Sequence, residues 1–542
     1  MQGSSAANET RSRAALAVEF DERRIDSIFA ELDRCHLPGV AVGIAIGGKP
    51  VYRKGFGLAN MELPVVLSPK IRMRIYSTTK HFTCFAYMLL CEEGRAGIDD
   101  PIGKHLPELH PVTRRVTVRQ LMGNMGGLRD VHDIRWQFCG MERPVHSDDL
   151  LLLYRDIDDV NFPPGTAWSY NNGGFLMLSI AIERITGQSL EEVLRTRIFE
   201  PVGMYDTLLR RFDSDFVPNS ATMHMTTRNG AFDRSYLVGA SAGEGGIVST
   251  VDNMLRWLAH MDAPVIGSPT TWKIMKAPQR LANGTPTGYG LGLMTDQYRG
   301  VEILHHGGGG MGSNSQMLKV PAARLDVAIM VNREDVSGVL LTYKILDACL
   351  LGLEPPRKLT TGSPASGTFR SPVTGRVIQL VAKEGQQLVS TDGLSVNMPF
   401  ETDSNGVLKP AGLFGYAKQV MTLVGDRVKP RAILFSDFGN LDELIAVAPV
   451  GKVDLPAIAG RYRGPTIGVE AKIHEAVDGP RLSTTGRFGS AEFDLEPLGE
   501  GLWRARSRVA DFLGGILSFE CSQPGFSFTS LRTRALRFRR ED

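Results

Sequence analysis

The chain of 542 residues contains little cysteine, and its cysteines are not arranged to staple a small fold. The six cysteines show no regular spacing, and most have apolar neighbours. Such residues are typical of buried free thiols, whereas disulfides belong to oxidising compartments. The first ten residues also lack the basic stretch and apolar run of a signal peptide, and no segment approaches membrane-spanning length. We therefore expect a cytoplasmic protein.

An excess of charge of either sign is absent as well. With 61 basic and 59 acidic residues the net charge is +2, which provides no electrostatic basis for binding nucleic acid or a membrane surface. Neither is expected as a partner. The sequence leaves a monomer and a homodimer open.

Motifs that hold metals or phosphates are also missing. Eleven histidines are scattered without a His-x-x-x-His or Cys-x-x-Cys pattern, so the pair His305 and His306 is a weak metal candidate. Four glycines follow at 307–310, but no Gly-Lys-Ser or Gly-Lys-Thr comes after them. Close approach of a substrate to the backbone of a strand explains these glycines better than a phosphate loop. We expect no metal and no cofactor.

What the chain does contain is a serine and a lysine one helical turn apart. Ser77 and Lys80 stand directly before an apolar run with helical spacing, at 82–90. At a helix N-terminus, free N–H groups and the helix dipole favour developing negative charge, and a desolvated lysine accepts a serine proton. The pair predicts a nucleophile with its base. A helix cap followed by a solvated lysine is the plain alternative.

Two later motifs, in a fixed order, favour the catalytic interpretation. Tyr170 and Asn172 form a Tyr-x-Asn after a proline-glycine turn, and His306 with Gly308 forms a His-x-Gly. Together with Ser77-x-x-Lys80 they resemble the motifs of the penicillin-recognising serine hydrolases. That family includes serine β-lactamases, D-alanyl-D-alanine carboxypeptidases, related esterases and D-aminopeptidases. The resemblance covers roughly the first 350 residues and implies an α+β catalytic domain, with an antiparallel sheet and a helical region.

The chemistry assigns candidate roles within these motifs. A serine hydroxyl needs a proton acceptor, and either Lys80 or Tyr170 could serve once its pKa is lowered. Asn172 would bind the substrate carbonyl. The resemblance places His306 where other members carry a lysine, as in the esterase and D-aminopeptidase branches. It also implies an oxyanion hole formed by the N–H groups of Ser77 and Gly309.

The character of the sequence changes after residue 353. A Pro- and Thr-rich stretch at 354–364 is typical of a linker, and short alternating runs separated by glycine turns follow it. Segments beginning at Ser366 and Ala459 repeat each other loosely, which predicts two small antiparallel β-barrels or sandwiches. Two C-terminal barrels are the layout of the D-aminopeptidase branch. We expect a catalytic domain at 1–353, the linker at 354–364, and barrels at 365–452 and 453–542.

In that branch a loop of the last barrel brings an acidic group to the substrate ammonium. The comparable candidate here is Asp511, although three arginines precede it and a turn aspartate on the surface is the plain alternative. Met294 stands where a polar group for the amine is expected.

The favoured function is a D-stereospecific aminopeptidase or amidase that works through an acyl-enzyme. The alternatives are an esterase or a β-lactam or D-alanyl carboxypeptidase-type hydrolase, favoured by Met294 and the arginines, and a non-catalytic sensor acylated at Ser77.

Overall fold

A computed structural model describes residues 16–141, 143–227, 229–356, 363–394, 398–403, 405–411, 418–449, 455–510, 513–520 and 524–541. In these residues a region of sheet and helices is followed by two closed antiparallel barrels. The predicted fold class is thereby confirmed. The first region also contains the helices, apart from α13 (Leu455–Ile458), which precedes the second barrel.

The strands of the first region, in chain order, are β1 (Ala17–Val18), β2 (Val40–Ile46), β3 (Lys49–Phe56), β4 (Leu58–Asn60), β5 (Val65–Val66), β6 (Met73–Arg74), β7 (Leu208–Leu209), β8 (Met223–Thr226), β9 (Phe232–Ser235), β10 (Ile247–Ser249), β11 (Met294–Tyr298), β12 (Val301–Gly310), β13 (Ser313–Val320), β14 (Leu325–Val331) and β15 (Leu350–Leu351). Its helices are α1 (Glu22–Phe29), α2 (Thr79–Glu92), α3 (Pro111–Arg114), α4 (Val118–Met122), α5 (Val131–Cys139), α6 (Ser147–Asp156), α7 (Asn172–Thr186), α8 (Leu190–Leu194), α9 (Glu200–Val202), α10 (Val251–His260), α11 (Pro269–Lys276) and α12 (Gly338–Cys349).

A six-stranded antiparallel sheet, in the order β11-β12-β13-β14-β2-β3, divides two hydrophobic cores. Strand β2 shows why. Its larger residues, Val40, Val42 and Ile44, belong to the core shared with α1 and α12, while its alanines belong to the other core. On that second face a β-carbon at Gly43 would lie 2.5 Å from Val251 Cγ1, so the glycine lets α10 pack closely.

The helix predicted after Ser77 is confirmed as α2. It is apolar on nearly all sides, as is typical of a helix buried within a large domain. Lys80 lies in its first turn with no exposed surface. In the described residues, no helix combines the length and the apolar character that crossing a bilayer requires.

The first barrel consists of β16 (Gly367–Arg370), β17 (Val377–Lys383), β18 (Gln386–Thr391), β19 (Met398–Thr402), β20 (Val407–Pro410), β21 (Gln419–Gly425), β22 (Pro430–Asp437) and β23 (Asn440–Ala446). The second consists of β24 (Gly460–Gly464), β25 (Val469–Ala476), β26 (Gly479–Gly486), β27 (Gly489–Gly499), β28 (Leu502–Ser507), β29 (Gly514–Ser518), β30 (Gly525–Thr529) and β31 (Leu536–Arg540). In each barrel the first strand pairs with the last, which removes exposed sheet edges.

Both barrels are held against the first region. Phe138 of α5 packs on Phe528 of the second barrel, with ring centroids 4.8 Å apart. On the other side, Phe438 at the β22–β23 turn stacks on Trp168 with centroids 3.7 Å apart. Lys418 Nζ, also from the first barrel, donates to the carbonyl oxygen of Thr295 in β11 at 2.8 Å. The first barrel therefore reaches Trp168, two residues before Tyr170, and the second barrel packs on α5.

Candidate active site

Ser77 lies in a short 3-10 turn, Tyr76–Thr78, immediately before α2, and is half-buried. Tyr76 has a φ of 46°, a left-handed conformation that costs about 1 kcal/mol for a residue with a side chain. Its hydroxyl accepts a hydrogen bond from Ser313 Oγ at 3.1 Å, and its ring is buried, so packing offsets this cost. The strained turn presents the Ser77 hydroxyl at the end of the helix.

The glycines of β12 make room for this turn. A β-carbon at Gly308 would lie 2.0 Å from the carbonyl oxygen of Ile75, and one at Gly310 would lie 2.2 Å from the ring of Tyr76. Thr78 Oγ1 donates to the carbonyl oxygen of His306 at 3.2 Å and ties the turn to the strand. The sequence led us to expect a substrate close to these glycines, whereas at Gly308 and Gly310 the structure shows the close approach of the nucleophile turn.

Gly308→Ala should therefore move the nucleophile turn. The added carbon meets backbone atoms that cannot rotate away, and a displacement of about 1 Å in a catalytic group lowers the rate by about 100-fold. We expect kcat/KM to fall by about that factor. Gly174→Ala in α7 is the control, since its β-carbon would lie 3.5 Å from Leu121 Cδ2, an ordinary contact. Equal activities of the two variants would contradict this reading of the glycines.

Lys80 is buried and forms three contacts through Nζ. It lies 2.7 Å from Asn172 Oδ1, 2.7 Å from the carbonyl oxygen of Glu244 and 3.1 Å from Ser77 Oγ. Burial lowers the pKa of Lys80 to about 7, and Arg532 lowers it as well, whereas Glu244 and other groups oppose the shift. A substantial fraction of the amine is thus neutral near pH 7.

The ring of Tyr170 lies beside the amine of Lys80. Lys80 Nζ is 4.8 Å from the centroid of the Tyr170 ring, and the hydroxyl of Tyr170 is hydrogen-bonded to Ser77. Burial raises the pKa of Tyr170 above its usual range, although Ser77 and Arg532 act in the lowering direction. Tyr170 is therefore protonated at neutral pH.

Asn172 opens α7 next to a buried carboxylate that the sequence did not single out. Asp130 accepts hydrogen bonds from the backbone N–H groups of Asn172 at 3.0 Å, Gly173 at 3.2 Å and His132 at 3.1 Å. It thus joins the N-termini of α5 and α7, where a carboxylate is stabilised by unpaired N–H groups and the helix dipole. The sequence signal that could have identified Asp130 as a helix cap is its position just before an apolar run with helical spacing.

His306 lies on β12 with both ring nitrogens occupied. Nδ1 donates to the carbonyl oxygen of Gly307 at 2.7 Å, so Nε2 accepts a hydrogen bond from the Tyr289 hydroxyl at 3.0 Å. Burial lowers the pKa of His306 to about 3, with Lys80 contributing. The side chain is therefore a neutral imidazole, in contrast to the lysine that the resemblance noted in the sequence analysis places here in other members. Tyr289 is a partner that the sequence did not identify.

Gly309 lies beyond the reach of β11, which pairs with β12 over 301–305 only. It is exposed, and a β-carbon there would contact only Asn314 Cβ, at 3.9 Å. The oxyanion role of Gly309 stays a prediction.

His305, considered in the sequence analysis as a weak metal ligand, instead contacts Asp296 at 3.1 Å and Gln316 at 3.2 Å.

Each barrel brings a side chain to this cleft, and the sequence predicted neither. Phe438 joins an apolar cluster with Trp168, Tyr289 and Met294 beside Tyr170. Arg532, from the loop between β30 and β31, lies with its guanidinium carbon 5.3 Å from the centroid of the Tyr170 ring. Asp511, the predicted ammonium receptor, lies outside the described residues.

Comparisons with known proteins identify the family and the fold of this chain. The sequence profile of the β-lactamase family, described as "Beta-lactamase", matches residues 25–350. A D-aminopeptidase of Brucella canis is 30% identical over 367 residues, covering 66% of this chain and 68% of the relative.

Two solved structures share the fold at lower sequence identity. The octameric penicillin-binding protein homologue from Pyrococcus abyssi has a TM-score of 0.55 at 21% identity, with 78% of this chain and 100% of that chain covered. The D-amino acid amidase from Ochrobactrum anthropi SV3, complexed with L-phenylalanine, has a TM-score of 0.50 at 21% identity, with 60% and 98% covered. At these identities the likeness concerns the fold.

Proposed function

Because this chain belongs to the β-lactamase family and is a hydrolase of that family, we propose that it acts through an acyl-enzyme on Ser77, with Lys80 as the base. The contacts of Lys80 carry the proposal. Asn172 Oδ1 and the Glu244 carbonyl can only accept hydrogen bonds, so a neutral amine directs its two N–H bonds to them. Its lone pair then faces the Ser77 hydroxyl, 3.1 Å away.

In the proposed reaction, Ser77 Oγ transfers its proton to Lys80 Nζ and attacks the carbonyl carbon of the substrate. The N–H groups of Ser77 and Gly309 are the candidates to stabilise the tetrahedral oxyanion. Tyr170, which is protonated and hydrogen-bonded to Ser77, passes a proton to the leaving group and is reprotonated from Lys80. Water then hydrolyses the Ser77 ester and releases the acid.

The proposed substrate is a short peptide or amide with a D-amino acid at its N-terminus. The D-aminopeptidase of Brucella canis supports this proposal, as do the two C-terminal barrels. An esterase is the second candidate, favoured by the apolar wall of Met294, Trp168 and Phe438 beside Tyr170. Asp511 is the proposed ammonium receptor in the first case and has no role in the second.

A substrate panel separates the two candidates. D- and L-amino acid amides, p-nitrophenyl acetate and a chromogenic cephalosporin should be compared by kcat/KM. We expect D-amino acid amides to exceed their L-enantiomers by at least about tenfold, since one misplaced group in a shaped pocket costs about 1–3 kcal/mol. Preference for the ester with no D/L discrimination would instead support the esterase.

The pH dependence of kcat/KM tests the assignment of Lys80. The amine must be neutral to accept the proton, so activity should fall about tenfold per pH unit below the pKa of about 7 and level off above it. Burial lowers the pKa of Lys80, Glu244 and Asp130 oppose this shift and Arg532 adds to it, so the midpoint of the profile lies near neutrality. A rate profile that is flat between pH 5 and 8, measured with p-nitrophenyl acetate, would argue against Lys80 as the base.

The described cysteines suit the expected cytoplasmic location. Cys84, Cys139 and Cys349 are buried free thiols, and Cys35 and Cys91 are also unpaired. Free thiols persist in reducing compartments.

A further inference from the structure

Arg532 reaches the candidate active site from the loop that joins β30 to β31 in the second barrel. Its guanidinium carbon lies 5.3 Å from the Tyr170 ring centroid, and one nitrogen lies 3.4 Å from Asp130 Oδ2. The side chain is 23% exposed. A cation from a distant part of the chain is thus next to the groups that would handle the proton of Ser77.

Hydrogen bonds to the first region hold this loop in place. Asp133 Oδ2 accepts from Ser530 Oγ at 3.0 Å and from Thr533 Oγ1 at 2.8 Å. Asn161 Nδ2 donates to the carbonyl oxygen of Arg532 itself at 2.8 Å. These partners are buried or half-buried, so the position of the Arg532 backbone is set by the fold.

The same loop is also hydrogen-bonded to the first region through the backbone of Arg534. Arg129 NH1 donates to the carbonyl oxygen of Arg534 at 2.7 Å, and the N–H of Arg534 donates to Asn161 Oδ1 at 2.9 Å. A preorganised loop loses little conformational entropy when a ligand binds to its side chain.

The guanidinium of Arg532 retains hydrogen-bonding capacity, unlike that of Arg129. Arg129 donates through Nε and NH2 to Asp159, and through NH1 to Asn161 and Arg534. Among the described residues, Arg532 makes one side-chain hydrogen bond, the long one to Asp130. Since a guanidinium has five N–H bonds, several remain for a ligand.

Arg532 forms an ion pair with the buried Asp130, but this long contact, 3.4 Å from NH1 to Oδ2, is not the main support of the Asp130 carboxylate. Three backbone N–H groups at the starts of α5 and α7 already bind its carboxylate. Both ring nitrogens of His306, on β12, already have partners in the Tyr289 hydroxyl and the carbonyl oxygen of Gly307, so this side chain has no donor left for a ligand anion. A substrate anion in this cleft would therefore find its partner in Arg532.

We propose that Arg532 is a specificity-determining residue of the Ser77 site and that it binds a carboxylate on the leaving-group side of the substrate. Guanidinium groups bind carboxylates through two parallel charge-assisted hydrogen bonds. Tyr170 delivers the leaving-group proton in the proposed function, on which this inference rests, so a group beside Tyr170 contacts the departing part. The substrate class is then a short peptide with a free C-terminal carboxylate, or an ester whose alcohol carries a carboxylate.

Two aryl acetates test this proposal without reliance on any amino acid preference. 3-Acetoxybenzoate and its methyl ester share the acetyl group and differ in the charge on the leaving group. The ratio of their kcat/KM values should fall by about tenfold or more in Arg532→Gln, because only the anion loses a charge-assisted contact. Arg532→Lys should recover part of the ratio.

Arg508→Gln is the matched control within the second barrel. Arg508 pairs with Asp478 in the β25–β26 turn at 3.0 Å and with Asp494 of β27 at 3.3 Å, so the ratio should stay at the wild-type value. An unchanged ratio in Arg532→Gln, or an equal loss on both esters, would overturn the proposal, the latter showing a purely structural role. Thermal unfolding checks that the variants are folded.

The outcome is separable from that of the proposed function. If Ser77→Ala still hydrolyses both esters, the acyl-enzyme on Ser77 is excluded, whatever the Arg532→Gln ratio. If Ser77→Ala is inactive and the ratio is unchanged, only the role of Arg532 fails. Binding of 3-hydroxybenzoate to the Ser77→Ala protein, followed by calorimetry, should weaken by about tenfold when Arg532→Gln is added.

Discussion

Ser77→Ala should abolish turnover while leaving the protein folded. Acyl transfer has no substitute for the attacking oxygen, and loss of a serine nucleophile lowers kcat by as much as about 10⁶-fold in other hydrolases. The lost contacts with Lys80 and Tyr170 are hydrogen bonds of a half-buried hydroxyl, worth about 1 kcal/mol each. Steady-state kinetics and thermal unfolding measure the two effects separately.

The control for this variant is Ser27→Ala. Ser27 is exposed on α1, and its hydroxyl donates to the carbonyl oxygen of Arg24 at 2.7 Å, remote from the nucleophile turn. Its activity should equal that of the wild type. Mass spectrometry of the wild-type protein after a slow substrate should locate the acyl group on the peptide that contains Ser77. Adduct on a different peptide would reject the assignment.

Lys80→Met and Tyr170→Phe should each slow acylation severely, and their effects should not multiply. Methionine keeps the length and apolar stem of Lys80 but removes the proton acceptor, so we expect a loss of about 10³- to 10⁴-fold. Tyr170→Phe should cost about 10²-fold or more. Because both groups move the same proton, the double variant should be little worse than Lys80→Met alone.

Pre-steady-state bursts with p-nitrophenyl acetate measure the acylation rate of the two single variants and the double variant separately from later steps. Lys276→Met is the control: Lys276 is half-buried, donates to the carbonyl oxygen of Met261 at 3.0 Å, and like Lys80 has a pKa lowered by burial. It should acylate at the wild-type rate. Fully multiplicative losses in the double variant would show that Lys80 and Tyr170 act in separate steps.

Local spacing was sufficient to predict the nucleophile turn and its helix. An i, i+3 pair followed by an apolar helical run specifies α2 and places Lys80 one turn from Ser77. The alternating runs after residue 366 likewise predicted strands, because side chains alternate between the two faces of a sheet. Both inferences need information from only a few neighbouring residues.

The presence of Arg532 at the candidate active site could not be predicted from local spacing. Arg532 lies in a short loop with no periodicity, and its nearest site partners, Tyr170 and Asp130, are more than 360 residues earlier in the chain. The sequence drew attention to Asp511, which lies outside the described residues and whose role stays a prediction. Which hairpin faces the cleft depends on how the barrel docks against α5, and docking is a property of the packed surfaces.

The sequence by itself determined the order of the motifs, the helix that begins just after Ser77 and carries Lys80, and the alternation of the barrel strands, because these follow from residue type and short-range spacing. Only the tertiary structure decided two other features: the protonation states of Lys80 and His306, and the side chains that the barrels contribute to the site. The pKa of Lys80 falls because the surrounding core excludes water, and His306 is neutral for the same reason. Phe438 and Arg532 join the cleft because two closed barrels pack on either side of it, which no local pattern records.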